Sequence, residues 1–275
     1  MTEVILSEQK KTKRQTKYRI DKDGAGLVFA MIEQSTEIVN GIDLSVPNLT
    51  EPPRVTLGEP PAHLTVACVW WGDLYGVEYV ERLRDAVARN LSIPYDFVCL
   101  TDHDVPDGVF KIIPPKVGPG WWQKVGLFRL FGARILYLDL NNVIVGSLDE
   151  VVRAQEPFCM AENFLSKGFA AHNSSVMLWT PTDRTYRIFT RFDDKVLDEL
   201  HGDQDWIWRV MGDDIVNFCP HHVVSYKLEC KKIVVQGPDG PKVFTHMDDT
   251  TSILVFHGKP KPHEVEDELI VDNWR

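Results

Sequence analysis

Leu64 to Trp70 is an unbroken apolar run with β-branched residues, set between Pro60-Pro61 and Gly72-Asp73. That pattern predicts a strand buried on both faces. The period then changes, and Val77, Val80, Leu83 and Val87 recur on one face of a helix spanning Val77 to Leu91. Tyr95 to Leu100 is a second buried strand after Pro94, and Val109 to Ile113 a short third one ending at Pro114-Pro115. Trp122 to Phe131 reads as a helix and Ile135 to Leu138 as the next strand. This β-α-β-β-α-β order predicts an α/β fold with a mostly parallel central sheet flanked by helices. Ligands then gather at the carboxyl ends of the strands. Those ends are Trp70-Trp71-Gly72-Asp73, Thr101-Asp102 and Asp139-Leu140-Asn141.

The second half is more mixed. Val143 to Val145 is apolar, and Ser147 to Glu150 is a helix-start signal. Pro157 to Glu162 and Ser174 to Trp179 read as strands, and Thr182 to Leu200 as largely helical. Asp203-Gln204-Asp205 opens a short helix to Met211, and Ile253 to Phe256 is a last strand. Residues 1–62 differ from the rest, with one apolar run and five prolines from Pro47 to Pro61. They read as an N-terminal extension and linker, with the main domain spanning 63–275.

Composition changes the picture little: 44% hydrophobic and 25% charged residues describe an ordinary globular protein. The net charge of −10 argues against a generally basic nucleic-acid binder. Lys10, Lys11, Lys13, Arg14, Lys17 and Arg19 still form a local basic segment. It is either a solvated tail or an arm that meets a polyanion. The five cysteines lack any C-x-x-C pairing, and Cys68, Cys99 and Cys159 lie in strand-like contexts. Buried free thiols in a reducing compartment account for them. There is no apolar run of transmembrane length and no signal-peptide layout, so a cytoplasmic protein is expected.

Five clusters carry candidate chemistry. Asp139 and Asn141 put two oxygen donors two residues apart at a strand end, either as turn residues or toward one cation. His257-Gly258-Lys259-Pro260-Lys261-Pro262 is an exposed basic turn, or a metal ligand followed by a phosphate-binding lysine. Asp203-Gln204-Asp205 suits a helix first turn, although Gln204 fits that role less well and could contact a sugar. Lys124 sits near a helix N-terminus, where the macrodipole disfavours it unless it faces solvent or an anion such as a diphosphate compensates. Asn173-Ser174-Ser175 precedes a buried strand, as turn residues also do.

Taken together and in this order, the five clusters resemble the GT-A glycosyltransferases. They resemble most closely glycosyltransferase family 8, the glycogenin and bacterial galactosyltransferase type, over residues 64–262. The family's strand-Tyr-Leu-Asp-x-Asp and Ser-Leu-Asp-Glu look like Tyr137-Leu138-Asp139-Leu140-Asn141 and Ser147-Leu148-Asp149-Glu150. Its Asn-Ser-Gly, Asp-Gln-Asp and C-terminal His-x-x-Gly-x-x-Lys-Pro-Trp look like Asn173-Ser174-Ser175, Asp203-Gln204-Asp205 and His257 to His263. Three departures stand out: Asn141 for an Asp, Ser175 for a Gly, and a shortened last motif without Trp.

The resemblance implies a metal-dependent, retaining transfer from a nucleotide sugar, a UDP-sugar in the first place. Asp139, Asn141 and His257 would hold Mn²⁺ or Mg²⁺. Lys124 and Lys261, with Gly258 between the loop's charged residues, would face the diphosphate or donor sugar. Trp70, Trp71, Asp73, Tyr75 and Asp102 would receive the nucleoside. Asn173, Asp203 and Gln204 would line the donor sugar and the acceptor face, with Gln204 nearest the anomeric carbon. The alternative is a GT-A-like domain that binds a nucleotide sugar or partner without turnover, and Asn141 is the residue that raises it. The acceptor could be a glycan, a protein or, through the basic segment, nucleic acid. On this reading Asp139→Ala abolishes turnover and Asn141→Asp preserves or raises it, which metal titrations of both variants would check.

Overall fold

Strand β1 (Leu64–Trp70) occupies the centre of the sheet because both its faces are apolar. The computed structural model describes residues 55–164, 172–219, 221–237 and 240–275. The basic segment 10–19 and the apolar run 27–32 lie outside the described residues. After β1 come α1 (Val77–Asn90), β2 (Tyr95–Thr101), β3 (Phe110–Ile112) and a 3-10 helix, Gly120–Arg129. Then follow β4 (Arg134–Leu138), β5 (Asn142–Ile144), α2 (Asp149–Val152), β6 (Phe158–Glu162) and β7 (His172–Trp179). The rest is α3 (Asp183–Thr190), α4 (Val196–Glu199), α5 (Asp203–Met211), β8 (Val216–Asn217), β9 (Val223–Ser225), β10 (Lys231–Gly237), β11 (Gly240–His246), β12 (Ile253–Val255) and α6 (Glu268–Asn273).

The main sheet has seven strands in the order β3-β2-β1-β4-β7-β6-β8. Four of its neighbour pairs are parallel, and β7 runs against β4 and β6. A mixed α/β domain with a mostly parallel central sheet is thus what the chain forms. Its strands alternate cleanly between two cores. Leu64, Val66, Cys68, Leu136, Leu138, Val176 and Leu178 face α1, α6 and a small β5-β12-β9 sheet. Ala67, Ile135, Tyr137, Met177 and Trp179 face the 3-10 helix, α3 and α5. The β1-to-β2 connection, α1, packs in the first core and the β3-to-β4 connection in the second. Strand order therefore reverses between β1 and β4, and their carboxyl ends are where sheets of this topology place a ligand crevice.

Two expected helices differ in form. The segment expected at Trp122–Phe131 is a 3-10 helix from Gly120 to Arg129, with every residue from Trp122 to Phe128 buried. It is pressed onto β2: a Cβ on Gly126 would come within 2.7 Å of the Pro115 ring. The Thr182–Leu200 helix breaks after Thr190, where Asp193 Oδ1 accepts from Lys195 N at 2.9 Å and turns the chain locally. The linker's end is tied to the domain through Gly58 N to Arg153 O and a Leu57–Ala154 bridge. Cys68, Cys99 and Cys159 are buried and form no disulfide. No described helix is long and apolar enough to cross a membrane.

His172 opens β7 with Nδ1 2.6 Å from Asn217 Oδ1. Burial holds His172 below its ordinary value of 6.5, and likewise His222 and His257. A depressed folded-state value stabilises fully above 6.5 and is lost as pH falls through the window beneath it. The thermal midpoint should therefore fall between about pH 7 and about pH 5, and His172→Gln should flatten that fall.

Candidate functional site

On β4, Ile135 and Tyr137 face the core that holds the 3-10 helix, and Asp139 continues that alternation one step past the strand. It thereby meets Lys124, whose Nζ lies 3.1 Å from Asp139 Oδ1 and 3.5 Å from Asp203 Oδ2. The same ammonium donates to Ser174 Oγ at 3.1 Å and reaches Ser174 O at 3.4 Å. Tyr137 OH donates to Asp139 Oδ1 at 2.5 Å. Lys124, Ser174 and Asp203 are all buried. Burial alone would strip Lys124 of its proton more easily, but the two carboxylates outweigh it and hold the ammonium above its usual range. Burial pushes Asp203 upward, against the pull of Lys124 and Ser174. Burial, reinforced by Asp139, likewise raises the Tyr137 phenol.

The end of β4 is also fastened to β7 and β12. Asp139 N and Asn142 Nδ2 both donate to Ser175 O, each at 2.9 Å. Asn141 Nδ2 donates to Phe256 O, because β5 pairs with β12 and leaves residue 141 opposite residue 256. His257 is the next residue after the carbonyl that Asn141 holds. Its Nε2 pairs with Ser225 Oγ at 2.7 Å at the end of β9, and its ring stacks on Phe164. Burial, together with Lys227 and Lys261, keeps this imidazole below its ordinary range and so neutral near pH 7.

The β1 end completes the crevice. Trp70 Nε1 donates to Tyr75 O at 2.8 Å, which folds the Trp71 to Tyr75 loop back on itself. Tyr75 OH then accepts from Lys261 Nζ at 2.8 Å. Burial raises the Tyr75 phenol, and the charge of Asp139 adds to this. Burial lowers Lys261, which also feels Asp139. Asp73 and Asp102 are exposed and Trp71 is half-buried. Gly258 has φ of +66°, the left-handed region glycine tolerates best, and leaves open backbone beside Lys227. Gln204 is half-buried in the first turn of α5 beside Asp203. Asn173 Oδ1 accepts from Ser175 N at 2.9 Å, as a local turn residue does.

The structure therefore gathers Lys124, Asp139, Asp203 and Ser174, holds Asn141 on the Phe256 carbonyl next to His257, and pairs Lys261 with Tyr75. Among the described residues no hydrogen bond or ion pair joins Asp73, Asp102 or Asn173 to these. The chain pattern missed Ser174, Ser225, Lys227 and His103. His103, not Asp102, stacks on Trp70 with ring centroids 4.3 Å apart and reaches Gly72 O at 3.2 Å. Ser174 and Ser175 stood inside a quoted motif, whereas Ser225 and Lys227 carry no sequence signal.

Among the described residues no three His, Cys, Asp or Glu side chains gather as a ready metal cluster. The candidate set holds only two of those types, with an amide as the third. Its donors nonetheless fit a hard cation. The bonds above leave Asp139 Oδ2, Asn141 Oδ1 and His257 Nδ1 for it.

No family model matches the chain, and no curated protein matches it. Solved structures do. The bifunctional glycosyltransferase WbbM aligns with a TM-score of 0.53 at 11% identity, over 79% of this chain and 50% of that one. The chain has a GT-A-type glycosyltransferase fold. The galactosyltransferase LgtC, solved with donor and acceptor sugar analogs, aligns with a TM-score of 0.47 at 11% identity, over 73% of this chain and 88% of its own. The glycosyltransferase GlyE of Streptococcus pneumoniae TIGR4 gives 0.42 at 14% identity, over 58% of this chain and 46% of its own. The chain thus spans about half the length of GlyE and WbbM.

Removing one partner of a buried ion cluster strands the others. Lys124→Met should lower the unfolding free energy by about 3–5 kcal/mol in urea titrations. Adding Asp203→Asn to that variant should recover part of the loss; a further loss would show that Lys124 does not neutralise Asp203.

Proposed function

We propose that this domain is a glycosyltransferase of the family 8 type. It moves a hexosyl or pentosyl group from a nucleotide sugar, a UDP-sugar in the first place, to an acceptor hydroxyl with retention of configuration. The observation that carries this reading is the placement of Asp139 and Asn141 just past β4, with Asn141 bonded to the Phe256 carbonyl next to His257 and Lys261 bonded to Tyr75, on the side of the sheet where strand order reverses. The acceptor is a glycan, a protein or, if the basic segment 10–19 serves as an arm, nucleic acid. The buried thiols Cys68, Cys99 and Cys159 accord with a reducing, cytoplasmic setting.

Asp139, Asn141 and His257 would hold Mn²⁺ or Mg²⁺, which when bound supplies positive charge to the departing diphosphate. Lys261, steadied by Tyr75, adds charge at the same place. Trp70 and the loop to Tyr75 receive the nucleoside. Asp203 is locked by Lys124 and sets the first turn of α5. Gln204 then presents an amide oxygen to the charge that develops at the anomeric carbon. A second reading, ligand binding without turnover, draws on Lys124: it already pairs with both Asp139 and Asp203 without a metal.

The test is release of nucleoside diphosphate from a panel of nucleotide sugars with Mn²⁺. Release by the wild type and its loss in Asp139→Ala support the enzyme; nucleotide binding without release supports the second reading. Asn141→Asp places a carboxylate against the Phe256 carbonyl and forfeits the amide's hydrogen bond. It should cost about 1–3 kcal/mol of stability in EDTA, and Mn²⁺ should restore it in thermal melts. No restoration by Mn²⁺ would count against residue 141 as a metal ligand.

A further inference from the structure

We propose that Lys227, in the turn after β9, is a phosphate-binding residue that forms with Lys261 a cationic rim for the donor's diphosphate. The inference rests on the donor reading above and reassigns a role within it. Lys124 was the lysine expected there from sequence. Its ammonium is already paired with Asp139 and Asp203 and donates to Ser174, and it is buried. An anion could use it only by stripping two carboxylates of their counter-charge.

Lys227 is placed differently. It is exposed, and among the described residues it forms no ion pair. Its Nζ donates one hydrogen bond, to Lys259 O at 2.9 Å, which leaves two N–H groups free. That ammonium lies 3.3 Å from the point where a Cβ on Gly258 would stand. The open backbone of Gly258 is therefore next to it. Lys227 and Lys261 lie close enough to oppose each other's charge and that of His257. The nearby carboxylate Glu264 is already engaged, by Lys261 N at 2.7 Å and Lys259 Nζ at 3.5 Å. Asp139 pairs with Lys124 through Oδ1 and also acts on Lys261. Two ammonium groups that oppose each other's charge thus lie at the Gly258 loop, one of them beside its open backbone. A dianionic or trianionic group such as a diphosphate offsets that repulsion.

The same turn fixes His257 through Ser225, so one short segment both positions the imidazole and supplies the cation. A purely structural Lys227 would only brace the Lys259 carbonyl. Calorimetric titration of the whole chain with pyrophosphate, UDP and uridine separates the two. Lys227→Gln should weaken pyrophosphate and UDP about tenfold, a charged hydrogen bond's share, and leave uridine unchanged; Lys227→Arg should restore most of it. Unchanged pyrophosphate affinity in Lys227→Gln overturns the proposal, as does an equal loss for UDP and uridine, the sign of a collapsed loop. Wild-type binding of pyrophosphate but not UDP would keep the rim and overturn the nucleotide-sugar donor. Binding of neither would overturn both.

Discussion

The buried ammonium of Lys124 is the point on which the rest of the crevice depends. It joins four elements that are distant in sequence: the 3-10 helix, the end of β4, the start of β7 and the start of α5. A buried and a partly buried carboxylate can sit this close only with a cation between them, since desolvation disfavours each charge and each opposes the other. Lys124 is that cation, at 3.1 and 3.5 Å. Without it, Asp139 would keep only the Tyr137 hydroxyl on its carboxylate, and the Asp203 carboxylate at the start of α5 would lose its paired ammonium.

That arrangement sets two groups of charges side by side. Around Lys124, one ammonium faces two carboxylates, with the hydroxyls of Tyr137 and Ser174 bonded among them. Lys227 and Lys261 feel each other's charge, Lys261 also feels Asp139, and the loop after β1 reaches Lys261 through Tyr75.

Hydrogen bonds to backbone carbonyls fasten the end of β4. Ser175 O receives both Asp139 N and Asn142 Nδ2, and Phe256 O receives Asn141 Nδ2. Asn141 therefore does two things that an aspartate could not do together. It donates to a carbonyl and still carries an acceptor oxygen. The departure from the Asp-x-Asp pattern has a structural cause.

Local pattern determined much of this protein. The strands at Leu64–Trp70 and Tyr95–Thr101, the helix at Val77–Asn90 and the positions of Asp139, Asp203 and His257 at element ends follow from hydrophobic period and punctuation, which act between near neighbours. Only the tertiary structure decided the rest. The 3-10 form of Gly120–Arg129, packed closely on Pro115 and on Leu100 of β2, is not encoded in any hydrophobic period. Lys124 turned inward because two carboxylates from other elements meet it there, whereas its local sequence suggested a lysine facing solvent or diphosphate. Ser225 and Lys227 reach the site because β9 pairs with β12, a register set by the small sheet as a whole. Charge balance and strand pairing act between residues that are remote in the chain, so the sequence names the participants at element ends but not which of them will face one another.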